Sequence, residues 1–260
     1  MRSRHLRTLV ACALATTGLV LVGPWAQAAE PGGCAPAAAH RGILTSYTEN
    51  TKGSIRDAVA AEAKFEIDLR STSNDGIVVI HDSTLSRTTN GRGRVANKTA
   101  AEIRSFRTDD GQRVPVIGGV LRMVRDNSNA EAILHLKTLT PSSQRNLASR
   151  IAEYGIADRL EAIGSASQLA GFRRRNRGIP TYLLYRGLPS VEDAAASGGA
   201  HVFPRKTTPE WRDDMQAEGV PFSTRIDDTP EGWEAAQGVD STSVMTDDVA
   251  GYRTYCSSRA

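Results

Sequence analysis

The sequence has 260 residues, enough for one large domain, and a formal net charge of +3 at pH 7. Residues 1–28 predict a secretory signal peptide, with a basic start, an apolar stretch and a small-x-small cleavage site at Ala26-Gln27-Ala28. Cleavage there would remove three arginines and no acid, leaving a mature chain of zero net charge. A neutral surface gives no electrostatic reason to expect a nucleic acid or an anionic membrane as partner.

A membrane anchor is the alternative for this segment, but its apolar run has no stop-transfer flank. We therefore expect a secreted protein without stable membrane insertion, and a monomer. Cys34 and Cys256 lie near opposite ends of the mature chain. In an exported protein they indicate a disulfide that joins the termini, with two unrelated thiols as the alternative.

From residue 37 onward, short apolar strands alternate with helical stretches. The expected strands are 37–42, 64–71, 76–82, 131–138, 160–166, 181–187, 200–206, 221–227 and 241–247. The expected helices are 53–63, 141–155, 167–176, 208–219 and 229–238. This order predicts an α/β fold with a parallel sheet, and about eight repeats fit a (β/α)8 TIM barrel. An open doubly wound sheet is the alternative, but its glycine-rich first turn is missing from the sequence.

A segment at about residues 83–115 interrupts this alternation of strands and helices. The segment is polar, and its one expected helix covers roughly 100–106. We interpret it as a small insertion, after an early strand, over one end of a barrel domain of residues 29–260.

The strand FEIDLR predicts charged groups inside the barrel, because side chains alternate between its two faces. Three apolar residues should face the helices, namely Phe65, Ile67 and Leu69. Three charged residues should then point inward, namely Glu66, Asp68 and Arg70. Buried carboxylates need compensation, which a divalent cation would supply. An ion-pair cluster in which Arg70 bridges both acids is the alternative.

Three of the four histidines of the mature chain are expected at carboxyl ends of strands, where barrel enzymes build their sites. These are His40, His81 and His135, while His201 lies at a strand start and is expected to be structural. Imidazoles can share proton donation and removal, and carboxylates hold hard cations. The cations Arg41 and Lys137 would suit an anionic phosphate. The set predicts metal-assisted phosphoryl chemistry.

Several motifs then carry a family resemblance. They are HRG at 40–42, ENT at 49–51, FEIDLRST at 65–72, DGIVVIHD at 75–82, LSRTTNGRGRV at 85–95, TAAEIRSF at 99–106 and VPVIGGVL at 114–121. In this order and spacing, the chain resembles the glycerophosphodiester phosphodiesterase family. The resemblance covers nearly the whole mature chain, strongly to about residue 138 and faintly beyond.

The resemblance implies a TIM barrel with a small insertion, and an enzyme that releases an alcohol and glycerol 3-phosphate from glycerophosphodiesters. It implies calcium or magnesium as cofactor. It also implies roles for individual residues: His40 and His81 as acid/base pair, Glu66 and Asp68 as metal ligands, Arg41 and Lys137 on the substrate phosphate, and Glu49 close to the metal.

The chain departs from the family pattern at His135, where the family usually has a glutamate ligand. We expect His135 to ligate through nitrogen, which would favour manganese, zinc or iron over calcium. The alternative is that His135 only hydrogen-bonds a neighbouring carboxylate. A second departure lies at Phe222 or Ser223, where the family often has a tryptophan, so the substrate specificity is open.

Two other functions compete with this interpretation. A sphingomyelinase D-like phospholipase would use similar histidines and acids, but the sequence offers no apolar membrane-binding loop for it. A non-catalytic barrel that binds phosphate ligands would not need both His40 and His81.

Overall fold

The structure, a computed structural model, describes residues 29–237 and 241–259. The predicted signal peptide and the helix end predicted at Gly238 lie outside the described residues. Within them, no helix combines the length and hydropathy that crossing a membrane requires.

Eight parallel strands close into a barrel, and a ninth strand, β3, lies outside the ring. The strands of the described chain are β1 (Ala37–Ala39), β2 (Lys64–Ser71), β3 (Ile77–Val79), β4 (Ala132–Thr138), β5 (Leu160–Gly164), β6 (Thr181–Leu184), β7 (Ala200–Val202), β8 (Phe222–Thr224) and β9 (Ser241–Thr246). Around the barrel they follow the order β1-β9-β8-β7-β6-β5-β4-β2, and parallel pairing of β1 with β2 closes the ring. With helices between its strands, this is the (β/α)8 barrel that the sequence predicted.

The helices in the described part of the chain are α1 (Lys52–Ala60), α2 (Ala100–Ser105), α3 (Ile117–Asp126), α4 (Pro141–Tyr154), α5 (Ala166–Arg173), α6 (Val191–Ser197), α7 (Pro209–Ala217), α8 (Pro230–Gln237) and α9 (Val249–Ser257). The sequence predicted six of them and missed α3, α6 and α9. Local signals set their ends: the Thr51 side chain accepts a hydrogen bond from Ser54 N in a capping box, and Gly155 ends α4 at φ +62°.

The prediction that 76–82 forms one of the parallel strands was wrong. β3 pairs antiparallel with β2, and Ser71 faces Ile77 across the pair. The link between the two strands is a tight turn in which Thr72 N donates to Gly76 O, and a parallel crossover would need a dozen or more residues. The reversal brings the chain back along β2, so that Ile80 N donates to Asp68 O at 2.9 Å. His81 therefore follows an antiparallel strand beside Asp68.

The alternation along β2 is as predicted. Phe65, Ile67 and Leu69 are buried in the main hydrophobic cluster, which packs the sheet against the helices. A smaller apolar group packs separately, namely Ala38, Ile133, Ile163, Tyr182 and Met245. Residues between β3 and α3 add a core of their own, made by Val78, Ile80, Leu85, Val95, Ile103 and Val114.

Cys34 and Cys256 form a disulfide between residues 222 positions apart, with their Cα atoms 5.9 Å from each other. Nearby, Arg253 Nε donates to Glu30 Oε2 at 2.9 Å. Both contacts join the start of the described chain to α9, next to the point where β1 and β9 pair.

Candidate active site

Neighbouring barrel strands bring two carboxylates and an imidazole together. Asp68 on β2 lies opposite His135 on β4, and Glu66 is two residues earlier on β2. One potential ligand atom from each of the three lies within 4.8 Å of the others. Both carboxylates are almost fully buried, at 1% and 0% exposure. The three side chains form a compact group at the centre of the candidate site.

One oxygen of each carboxylate has no normal hydrogen bond. Glu66 Oε1 and Asp68 Oδ1 are buried without a hydrogen-bond partner in the described chain, although His135 Nδ1 lies 3.2 and 3.1 Å from them. Buried oxygens of this kind are costly unless a cation compensates them. Two carboxylates with an imidazole are a donor set that suits a divalent metal ion. Glu66, Asp68 and His135 could therefore hold such an ion.

The second oxygen of each carboxylate is held by the loop after β1. Arg41 N donates to Glu66 Oε2 at 3.1 Å, and Arg41 Nε lies 3.3 Å from Asp68 Oδ2. Asn50 Nδ2 donates to Asp68 Oδ2 at 2.9 Å, while Asp68 N donates to Asn50 Oδ1 at 3.0 Å. Both Arg41 and Asn50 adopt left-handed backbone, with φ +58° and +60°. This loop fixes one side of the acids, while their other side faces His135.

The pKa values in this group follow from its charges. Burial alone would raise the pKa of Asp68, but the contact with His135 and the charges of Lys137 and His81 lower it. Burial alone would lower the pKa of His135, but Asp68 and Glu66 raise it. The carboxyl of Asp68 is thus held as an anion.

Glu49 does not belong to this group of three. Its carboxylate accepts from Arg41 Nη1 at 3.0 and 3.1 Å and from Arg87 Nη2 at 2.6 Å. Its carboxylate lies between two arginines, one of which also contacts Asp68, and its expected position close to the metal stays a prediction. Arg87 also donates to Asp82 Oδ2 at 2.6 Å and so links Glu49 to the His81 segment.

The two histidines of the expected acid/base pair are each held at Nδ1 by an aspartate. His40 Nδ1 lies 2.8 Å from Asp247 Oδ1, and His81 Nδ1 lies 2.7 Å from Asp82 Oδ1. These contacts orient the rings and leave Nε2 as the nitrogen that can exchange a proton. His81 Nε2 is 3.1 Å from Lys137 Nζ, which in turn is 3.7 Å from Asp68 Oδ1. Lys137 thus connects one histidine to the buried carboxylates.

Two other polar residues have structural partners. Arg70 does not bridge the acids, because its Nε donates to His81 O at 2.8 Å and its Nη1 to Thr138 Oγ1. His201 is buried, and its Nδ1 lies 2.8 Å from Ser223 Oγ on the neighbouring strand. Burial, together with the positive charges nearby, keeps the pKa of His201 well below its ordinary value.

The sequence prediction missed Asn50, Asp82, Arg87 and Asp247. Asn50, Asp82 and Arg87 stand inside the quoted motifs ENT, DGIVVIHD and LSRTTNGRGRV, so these segments could have indicated them. Asp247 follows β9, and the structure shows its contact with His40.

Residues 40–161 match the sequence model of the Glycerophosphoryl diester phosphodiesterase family. This matched segment, slightly less than half of the chain, is similar to that family. The matched segment contains eight of the predicted site residues: His40, Arg41, Glu49, Glu66, Asp68, His81, His135 and Lys137. The glycerophosphodiester phosphodiesterase family is metal-dependent in general, which agrees with the donor set described above.

Curated relatives match over part of their length. A glycerophosphodiester phosphodiesterase of Caldanaerobacter subterraneus subsp. tengcongensis is 32% identical over 133 residues, which cover 47% of this chain and 54% of the relative. The Bos taurus glycerophosphodiester phosphodiesterase 1 is 40% identical over 81 residues, which cover 31% of this chain and 24% of the relative. The chain thus spans about half the length of the first relative, and less of the second.

Solved structures share the barrel over nearly its full extent. A putative glycerophosphoryl diester phosphodiesterase of Silicibacter pomeroyi superimposes with a TM-score of 0.75 at 19% identity, covering 86% of this chain and 93% of that one. A phosphodiesterase of Oleispira antarctica, solved in complex with the product sn-glycerol-3-phosphate, gives 0.70 at 18% identity, covering 87% and 96%. At these identities, the similarity establishes the fold alone.

Proposed function

We propose that this protein is a metal-dependent phosphodiesterase that hydrolyses glycerophosphodiesters to an alcohol and glycerol 3-phosphate. The observation that carries the proposal is the group formed by Glu66, Asp68 and His135, in which one oxygen of each buried carboxylate has no hydrogen bond and faces the imidazole, next to the His81–Lys137 pair. The match of residues 40–161 to the family model supports the reaction class, and the product complex of the Oleispira antarctica phosphodiesterase supports glycerol 3-phosphate as a product.

Glu66, Asp68 and His135 would hold the metal ion through two oxygens and one nitrogen. A bound divalent cation would supply positive charge for the phosphodiester oxygens. Because a neutral imidazole replaces a carboxylate, the site has less negative charge than an all-carboxylate site. We propose that it therefore prefers manganese or zinc to calcium or magnesium.

Arg41 and Lys137 would bind the phosphate of the substrate. Both cations border Asp68, at 3.3 and 3.7 Å, and therefore lie beside the proposed metal site. Burial lowers the pKa of Lys137, while the carboxylates of Asp68 and Glu66 oppose that shift. An arginine and a lysine on one phosphate would neutralise its charge and fix its orientation.

His40 and His81 would move the protons. In a phosphodiester cleavage, the P–O bond to the leaving alcohol breaks as a new P–O bond forms to the nucleophile. One imidazole accepts the proton of the nucleophilic hydroxyl, and the other, protonated, donates to the oxygen of the leaving alcohol. Asp82 and Asp247 hold the two rings at Nδ1, so both transfers would take place at Nε2.

We further propose that the protein is secreted and acts as a monomer. The signal-peptide pattern of residues 1–28 supports export. The bond between Cys34 and Cys256 is of a kind that persists in oxidising compartments.

Hydrolysis of glycerophosphocholine by the metal-stripped protein, with single metals added back, tests this proposal. We expect release of choline and glycerol 3-phosphate, restored best by manganese or zinc. His40→Ala and His81→Ala should each lower kcat by about 10²–10⁴-fold while leaving thermal unfolding cooperative. Full activity in both variants would refute the acid/base assignment. If the protein binds a panel of diesters tightly but hydrolyses none of them with any metal, it is a phosphate-binding barrel and not an enzyme.

A further inference from the structure

A groove outside the candidate active site is lined by five cationic side chains and no acidic one. It has a volume of about 810 Å³ and lies between α1 and α3, next to the segment that joins α2 to α3. The cations are Lys52, Arg56, Arg104, Arg113 and Arg122. They come from both helical walls and from the residues that precede α3, so they surround the groove instead of forming one helical face.

All five cations are exposed, and none of them forms an ion pair within the part of the chain that the structure describes. One acid lies within electrostatic reach, since the charge of Arg122 helps to lower the pKa of Asp126. By contrast, Arg125 at the end of the same helix α3 pairs with Asp126 at 2.7 Å. Like charges gathered in one concave space repel each other and attract anions. Residues 29–260 have no formal net charge, so the five cations are not part of a general excess of positive charge.

We infer that the groove binds a soluble linear polymer of polyol units joined by phosphodiesters. A flexible chain of this kind carries one negative charge per repeat and is thin enough to lie in a concave space between two helices. Its polyol carbons would contact the apolar residues of the groove, among them Val59, Val114 and Met123.

The lining disfavours the other common polyanions. Single-stranded nucleic acids bind through aromatic side chains that stack on bases, and no Phe, Tyr or Trp lines the groove. An anionic membrane presents its phosphates on a broad surface, and proteins that bind it add exposed apolar anchors. The exposed large hydrophobic residue in the described chain is Tyr185, which is not part of the groove.

The groove borders the candidate active site. Val114 and Pro115 line the groove on one side and, on the other, a crevice that contains Glu49, Asn50 and His81. Gln112 at the groove donates to Thr51 Oγ1 at 3.0 Å and accepts from Gly53 N at 2.9 Å. A polymer held in the groove would therefore keep a phosphodiester close to the site. That the polymer is also a substrate rests on the proposed function, whereas its binding in the groove does not.

Binding of end-labelled poly(glycerol phosphate) to the metal-stripped full chain tests the inference by fluorescence anisotropy. The double charge reversal Arg56→Glu with Arg122→Glu should weaken binding about tenfold or more at 50 mM salt. It should also reduce the slope of log Kd against log salt by about 1.4, given ~0.7 per lost phosphate contact. The matched control, Arg145→Glu with Arg177→Glu, changes the net charge equally at exposed sites outside the groove.

We expect the control to change the Kd by less than about twofold, and both variants to hydrolyse glycerophosphocholine as the wild type does. Equal weakening in both variants, or none in the groove variant, would overturn the inference. Equally tight, groove-dependent binding of phosphatidylglycerol vesicles or of oligodeoxythymidine would overturn the assignment to a polyol phosphate. Polymer binding by a protein that hydrolyses no diester would refute the proposed function and leave the groove assignment standing.

Discussion

His81 Nε2 and Lys137 Nζ lie 3.1 Å apart. Because Nδ1 of the same ring is 2.7 Å from Asp82 Oδ1, the proton placement that satisfies both contacts is Nδ1–H, with Nε2 accepting from the ammonium. This is the neutral imidazole. Burial lowers the pKa of His81, Arg41 and Lys137 lower it further, and Asp82 with Asp68 opposes the shift. His81 is thus prepared to accept a proton at neutral pH.

Lys137→Met should raise the pKa of His81, because it removes a positive charge that disfavours the imidazolium. The imidazolium form would then persist to higher pH than in the wild type. NMR titration of the His81 ring protons measures this shift without relying on activity. Lys206→Met, which removes an exposed lysine that lies over Phe203, is the control and should leave the titration unchanged. An unchanged or lowered pKa in Lys137→Met would contradict the electrostatic account of the pair.

Asn50→Gly should weaken metal binding by about 10–100-fold. The side chain of Asn50 makes reciprocal hydrogen bonds with Asp68, and their loss would free a carboxylate that the site needs in one orientation. Glycine retains the positive φ of this position, so the change isolates the side chain from the backbone.

Asn50→Ala removes the same hydrogen bonds and adds the strain of a left-handed alanine. We expect a similar loss of metal affinity and a free energy of unfolding about 1–3 kcal/mol below that of Asn50→Gly. Calorimetric titration and urea unfolding measure the two effects separately. Wild-type metal affinity in both variants would show that Asn50 does not position Asp68.

Reduction of the Cys34–Cys256 disulfide should destabilise the barrel. The bond closes a loop that spans almost the whole described chain. Its removal therefore increases the conformational entropy of the unfolded state, and it also removes the covalent link between α9 and the segment before β1. The double variant Cys34→Ala with Cys256→Ala should lose about 2–5 kcal/mol of unfolding free energy. Reductant should lower the Tm of the wild type and leave that of the variant unchanged. Equal Tm values for both proteins without reductant would contradict this role.

The sequence predicted the barrel and the two carboxylates of β2 because both follow from regular alternation along the chain, of strands with helices and of apolar with acidic residues. In β2, apolar and acidic residues alternate so regularly that Glu66 and Asp68 had to face away from the helices. The parallel sheet and the closed barrel followed from strand–helix alternation. The helix α3 was missed because IGGVLRMVRD contains two adjacent glycines, which disfavour a helix unless tertiary packing supports it.

The sequence could not predict contacts that depend on loop paths. The reversal at β3 depends on one tight turn, and it places His81 beside Asp68 although their strands run in opposite directions. The contact of Glu49 with Arg41 and Arg87 depends on long side chains from three separate segments. Such pairs form only after the loops meet, and no short-range pattern in the sequence encodes them.

We propose that His135 contributes nitrogen to a metal site formed with Glu66 and Asp68. Calorimetric titration of the metal-stripped wild type and of His135→Glu with manganese, zinc, calcium and magnesium tests this assignment. Asp68→Asn serves as the control that should abolish binding. We expect one site per chain, tighter for manganese or zinc than for calcium in the wild type, and a shift toward calcium or magnesium in His135→Glu. A wild type that prefers calcium, with the same preference in His135→Glu, would contradict the assignment.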